Sequence, residues 1–122
     1  MSKHALLIED EPNIIEAIRF ILSRDGWRVS THDTGADAAE VIARTDPDIV
    51  ILDVMLPGRS GYEILDELRA DAATRDLPVL MLTAKGQERD RRLAERAGAS
   101  RFMTKPFSNS EVLAAMREMV GP

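Results

Sequence analysis

The sequence predicts a doubly wound α/β fold, a five-stranded parallel sheet with five helices packed on its two faces. Three observations carry this reading. Short, wholly apolar runs recur at Ala5-Leu6-Leu7-Ile8, Ile49-Val50-Ile51-Leu52 and Val79-Leu80-Met81-Leu82. Runs that short and that apolar fit strands buried on both faces, which is the habit of parallel sheets. Each is followed by a longer stretch with apolar residues at helical spacing, and alternating strands and helices imply a parallel sheet covered on both sides. Right-handed crossovers then point every strand the same way, so the strand ends gather at one edge.

The elements follow in order. Ala5 to Ile8 ends in Glu9-Asp10-Glu11, and Pro12 suits the first turn of a helix whose positive end favours nearby acids. Ile14, Ile15, Ile18, Ile21 and Leu22 fall on one helical face, and Asp25-Gly26 stops that helix. Trp27 to Thr31 reads as a half-buried strand with Trp27 packing on it, and about Thr34 to Arg44 as an Ala-rich helix closed at Asp46-Pro47. The strand Ile49 to Leu52 runs into Asp53, and Pro57-Gly58 forces a loop. A third helix covers about Tyr62 to Ala73 with Leu65 and Leu68 inward; Pro78 then introduces the strand that ends at Thr83. A fourth helix is expected over roughly Gln87 to Ala97, stopping at Gly98, and a last strand over Arg101 to Thr104 before Lys105-Pro106. The fifth helix, capped by Ser108 or Ser110, turns Val112, Leu113 and Met116 inward and fades at Gly121-Pro122.

Composition narrows the function classes. The 122 residues suit one domain, expected to span 1–122, with enough chain for a real core. A net charge of −5 argues against a general nucleic-acid-binding surface, and the absence of cysteine excludes disulfides, thiolate catalysis and Cys-ligated metals. Met1-Ser2-Lys3-His4 leads straight into a strand, and no apolar run approaches a membrane span, so a soluble cytoplasmic domain without membrane contact is expected. Neither the dinucleotide fingerprint nor the P-loop motif occurs.

In open α/β sheets, ligands bind outside the carboxyl ends of the strands. There the predicted topology gathers Glu9-Asp10, Asp53, Thr83 and Lys105: three acids, a hydroxyl and an ammonium. His4 and His32 are expected to be structural or solvent-facing and far from this cluster.

The segments LLIEDEP (6–12), IVILDVMLPGRSG (49–61), LPVLMLTAK (77–85) and FMTKPF (102–107), in this order and spacing, resemble the receiver domain of two-component response regulators. The likeness covers the whole chain and implies the flavodoxin-like (βα)5 fold of chemotaxis-type regulators. It implies that Asp53 accepts a phosphoryl group from a sensor histidine kinase or phosphotransfer protein in a Mg²⁺-dependent reaction. Asp10 then matches a direct metal ligand, Glu9 one acting through water, and the Met55 backbone carbonyl the remaining protein ligand. Thr83 matches the hydroxyl that bonds the phosphoryl group, Lys105 its cationic partner, Phe102 the aromatic switch residue, and Lys105-Pro106 the family's cis peptide.

Elementary chemistry agrees. Clustered carboxylates raise one another's pKa, and a hard divalent cation relieves the repulsion. Phosphoryl transfer needs positioning and charge neutralisation, which Mg²⁺, Lys105 and Thr83 could supply.

The expected role is a signalling switch that catalyses only its own phosphorylation and dephosphorylation. Metal-dependent hydrolases with a strand-end Asp usually need a second Asp two residues on, where this chain has Met55. A regulatory domain cut from a longer DNA-binding or enzymatic regulator is the alternative to a stand-alone protein. Ser100 and Arg101 stand where winged-helix regulators usually carry an acidic pair, which favours the stand-alone form. Lys85, Arg89, Arg92 and Arg96 line one face of the expected fourth helix, and Arg101 could extend the stripe. A downstream protein is expected on this surface of fourth helix, fifth strand and fifth helix, with no direct nucleic-acid contact by this chain.

Overall fold

The strands stand in the order β2-β1-β3-β4-β5, and every adjacent pair is parallel. This architecture comes from a computed structural model that describes residues 3–84, 92, 95, 96 and 98–120. The strands are β1 (His4–Ile8), β2 (Arg28–His32), β3 (Ile49–Asp53), β4 (Val79–Ala84) and β5 (Arg101–Lys105). The helices are α1 (Pro12–Arg24), α2 (Ala38–Thr45), α3 (Gly61–Ala70) and α4 (Asn109–Val120). The expected fourth helix falls largely outside the described residues, so the helix expected fifth is α4 here. Of that stretch only Arg92, Glu95 and Arg96 are described, all helical and exposed.

Alternation along each strand sorts the core into two layers. Ala5, Leu7, Ile49, Ile51, Leu80, Leu82 and Met103 face α1 and α4, where they meet Ile18, Leu22, Val112 and Met116. Leu6, Ile8, Val50, Leu52, Val79 and Met81 face α2 and α3, against Val41, Ile42, Ile64, Leu65 and Leu68. Trp27 is buried in the first layer, just before β2 rather than within it. Because β1 and β3 are neighbours while the chain visits β2 between them, winding reverses beside them, and the crevice opens at their carboxyl ends.

Local chemistry adjusts several element ends. Pro12 opens α1, but Glu9, Asp10 and Glu11 precede its first turn, and Glu11 is the N-cap residue without a side-chain cap. Helix α2 begins at Ala38, not near Thr34, because Thr34 to Asp37 bind elsewhere. Gly35 N and Thr34 Oγ1 both donate to the Pro57 carbonyl, at 2.9 and 3.1 Å, tying this loop to the one after β3. Helix α3 ends at Ala70, not Ala73, where the Asp71 side chain accepts from Ala73 N at 2.9 Å in an Asx turn. Ser108, rather than Ser110, caps α4: its hydroxyl accepts from Glu111 N, and Glu111 Oε1 accepts from Ser108 N, both at 3.1 Å. The Lys105–Pro106 peptide is cis, as expected.

Leu52 is fully buried between β1, β4 and the α2–α3 layer. Leu52→Ala should destabilise the protein by about 2–5 kcal/mol in urea unfolding. A loss well under 1 kcal/mol would mean that this layer is not close-packed.

Candidate functional site

The same alternation that sorts the core also builds the site. Glu9 continues the face of Ala5 and Leu7, Asp53 that of Ile49 and Ile51, and Lys105 that of Met103. All three therefore emerge on the α1–α4 side of the sheet's carboxyl edge. Lys105 Nζ lies 3.0 Å from Asp53 Oδ2, 3.2 Å from Glu9 Oε2 and 3.3 Å from Glu11 Oε1. Glu11 is a contact the sequence reading missed; Pro12 fixes the helix start, which leaves Glu11 at its mouth facing the ammonium.

Glu9, Asp10 and Asp53 each offer a carboxylate oxygen within 4.8 Å of the others. Glu9 is fully buried and Asp53 nearly so, while Asp10 is exposed. Glu9 Oε1 accepts from the backbone N–H groups of Asp10 and Glu11, both at 3.2 Å. Its Oε2 has the Lys105 charge nearby but no hydrogen bond among the described residues. Asp53 Oδ1 accepts from Met55 N at 3.3 Å, so the residue after Val54 holds the carboxylate with its backbone while its side chain stays exposed. Thr83 stands one residue past Leu82, the β4 partner of Asp53, and its buried hydroxyl has no hydrogen-bond partner among the described residues. Phe102 is half-buried on the α2–α3 side, the side of Met81 and Thr83, so it borders Thr83 rather than Asp53.

Burial, then the neighbouring Asp53 carboxylate, push the Glu9 carboxyl up to about 7. Burial alone would lower the Lys105 ammonium, but the hydrogen bond to Asp53 and the charges of Asp53 and Glu9 hold it above the usual lysine value. A cleft of about 540 Å³ opens beside the cluster, walled by Ile14, Ala17, Met55, Pro106 and Phe107.

Two expectations change. His32 is not remote: β2 pairs in register with β1, and its carbonyl accepts from Glu9 N at 3.0 Å. Its imidazole turns away to Asp37 at 2.6 Å. His4 does sit apart, bonded to Ser30. Arg101 does not extend a free basic stripe, because it is ion-paired with Glu118 on α4. Lys85 and Arg89 lie outside the described residues.

Because Glu9 holds its proton up to about pH 7 in the fold but only to about 4.5 in an ordinary carboxyl, the native state binds that proton more tightly. This group therefore favours the fold most below about pH 4.5, and its contribution is lost as pH rises through about 7. Metal-free Asp53→Asn, lacking the charge that raises Glu9, should lose less stability than wild type between about pH 5 and pH 8. Parallel denaturation curves across that range would show that the two carboxyls are not coupled.

The response regulator receiver domain family model matches residues 5–117. The phosphate regulon transcriptional regulatory protein PhoB of Escherichia coli (strain K12) is 37% identical over 120 residues, covering 98% of this chain and 52% of that protein. The chain thus spans about half the length of the curated relatives it matches. Among solved structures, a Chloroflexus aurantiacus J-10-fl protein described as a response regulator superimposes with a TM-score of 0.96 at 30% identity, over 100% of both chains. The receiver domain of sensor histidine kinase PA1611 from Pseudomonas aeruginosa PAO1, described with a magnesium ion in its active-site cleft, gives a TM-score of 0.90 at 30% identity over 100% of both chains. Family match, strand order and acidic pocket agree: the chain belongs to the response regulator receiver domains.

Proposed function

We propose that this chain, as a single domain over residues 1–122, is a signalling switch thrown by phosphorylation of Asp53. The observation that carries the reading is the seating of that carboxylate. It is buried at a strand end, held by the Met55 N–H and the Lys105 ammonium, with two further carboxylates within 4.8 Å.

The donor set fits a magnesium ion. Three clustered carboxylates, one with a buried oxygen lacking any hydrogen bond among the described residues, are hard oxygen donors whose repulsion a divalent cation relieves. Asp10, Asp53 and the Met55 carbonyl would hold it, with Glu9 acting through water. When bound, Mg²⁺ supplies positive charge to the phosphoryl oxygens. The chain's own residues do the rest. An Asp53 carboxylate oxygen forms the new P–O bond as the P–N bond to the donor histidine breaks, the nitrogen leaving with the electron pair. Lys105, already on Asp53, balances the negative charge carried by the phosphoryl oxygens. The Thr83 hydroxyl, unpartnered among the described residues, donates to one of those oxygens.

Thr83 also links the site to an output surface. It faces the same side of the sheet as Phe102, so drawing Thr83 towards Asp53 frees space into which Phe102 turns. A ligand shifts a two-state equilibrium only through contacts that differ between the states, and the Thr83 bond is one. A downstream protein then reads the changed face of β5 and α4; the expected fourth helix of that face lies largely outside the described residues. The donor is a sensor histidine kinase or phosphotransfer protein. Turnover of an external substrate is not part of the role, because Met55 offers no acid or base two residues beyond Asp53.

A cytoplasmic setting suits both partners, and among the described residues no helix is long and apolar enough to cross a membrane. That the PhoB relatives are about twice as long supports a second reading, in which a DNA-binding or enzymatic output segment shares the parent chain. The chemistry at Asp53 is the same in both.

Intact-mass measurement after incubation with acetyl phosphate and Mg²⁺, or with a cognate kinase, should show one added phosphoryl group on wild type and none on Asp53→Asn. An unmodified wild type under both donors, or label persisting in the variant, removes Asp53 from the role. Mg²⁺ alone should raise the melting temperature of wild type more than that of Asp53→Ala, since it binds only the folded site. Equal shifts would place the ion elsewhere.

A further inference from the structure

Gly61 opens α3 directly against the strand end that carries Asp53. A Cβ added there would lie 2.3 Å from the Asp53 carbonyl oxygen, 3.1 Å from its carbonyl carbon and 3.0 Å from Val54 Cα. All three are backbone atoms, and none can swing aside as a side-chain tip could. Conformational freedom is not the reason for glycine at this position. Among the described residues the glycines with positive φ are Gly26, Gly58 and Gly98, so the Gly61 backbone suits an L-residue and only space forbids one.

The approach is part of a closed circuit. Gly61 N donates to the Val54 carbonyl at 2.9 Å, and Val54 N donates to the Leu82 carbonyl at 3.1 Å. Loop 54–60 is thereby pinned at both ends, and it contains Met55, whose N–H holds Asp53 Oδ1. A capping box fixes the start of α3 on this circuit. The Ser60 hydroxyl accepts from Glu63 N at 3.2 Å, and Glu63 Oε1 accepts from Ser60 N at 3.3 Å.

We propose that Gly61 is a positioning residue for phosphoryl transfer: its missing side chain lets α3 clasp the Asp53–Val54 backbone and so aims both the carboxylate and the Met55 peptide. The inference rests on Asp53 as the acceptor. Relieving a 2.3 Å approach to the ordinary contact distance of 3.4 Å moves the two segments apart by roughly 1 Å. A reacting group displaced that far loses up to about 100-fold in rate, and functional constellations tolerate only about 0.5 Å.

The test compares wild type, Gly61→Ala, Ser60→Ala and Leu68→Ala, well below their melting temperatures. Phosphorylation by acetyl phosphate in Mg²⁺ is followed by intact mass, and the Mg²⁺-induced shift in melting temperature is read separately without phosphodonor. Gly61→Ala should be phosphorylated about 10–100-fold more slowly and show a smaller Mg²⁺ shift. Ser60→Ala, which loosens the same helix start without adding an atom, should be slowed a few-fold. Leu68→Ala weakens α3 from its buried side, away from Asp53, and should keep the wild-type rate and shift.

A wild-type rate and shift in Gly61→Ala overturns the proposal, as does a Leu68→Ala slowed to the same degree. Should Gly61→Ala fail to fold, Ser60→Ala decides by the same criteria. Failure of the acceptor reading looks different, because wild type itself then takes up no phosphoryl group.

Discussion

Among the described residues, one ammonium stands amid the carboxylates on which this domain depends. Lys105 lies within 3.3 Å of Asp53, Glu9 and Glu11, and two of those three are almost entirely removed from water. Buried charges are tolerated only with close partners, and removing one partner leaves the others uncompensated. Burial first, and then the Asp53 charge, push the Glu9 carboxyl up to about 7 despite the ammonium beside it. Among the described residues the cluster therefore holds more carboxylates than cations.

Architecture supplies this crowding with little help from local sequence. Glu9, Asp53 and Lys105 are 44 and 52 residues apart along the chain, yet parallel pairing and strand alternation bring them to one face of one edge. The strands hold them firmly because their preceding residues are locked in a packed layer: Ala5 and Leu7, Ile49 and Ile51, and Met103. Thr83 belongs to the opposite alternation and sits with Phe102, which separates its hydroxyl from the side of the sheet that carries Glu9, Asp53 and Lys105. The proposed switch role would use such a division, because one part must stay fixed while another moves.

Much of this was legible in the chain itself. Apolar runs ending abruptly in Glu9-Asp10, Asp53, Thr83 and Lys105 mark strand ends, and their repetition marks a parallel sheet. Other features lie beyond such patterns. That Glu9 is buried while its neighbour Asp10 is exposed depends on alternation and on α1 covering the strand end. The position of His32 beside Glu9 follows from register, which no local pattern around Thr31 and His32 encodes. Helix α2 starts late because Thr34 and Gly35 bond to Pro57, a contact 22 or 23 residues away in sequence. Gly61 reads as an ordinary turn glycine until the Asp53 carbonyl is seen where its side chain would be.

The most direct measurement of this carboxylate cluster is a carbon-13 NMR titration of the Glu9 carboxyl in the metal-free protein, with Lys105→Met beside wild type. The account predicts a wild-type midpoint near 7, because burial and Asp53 favour the protonated form. In Lys105→Met the midpoint should move higher still, because the ammonium that favours ionisation is gone. A Glu9 carboxyl that titrates near its ordinary 4.5 in both proteins would contradict it.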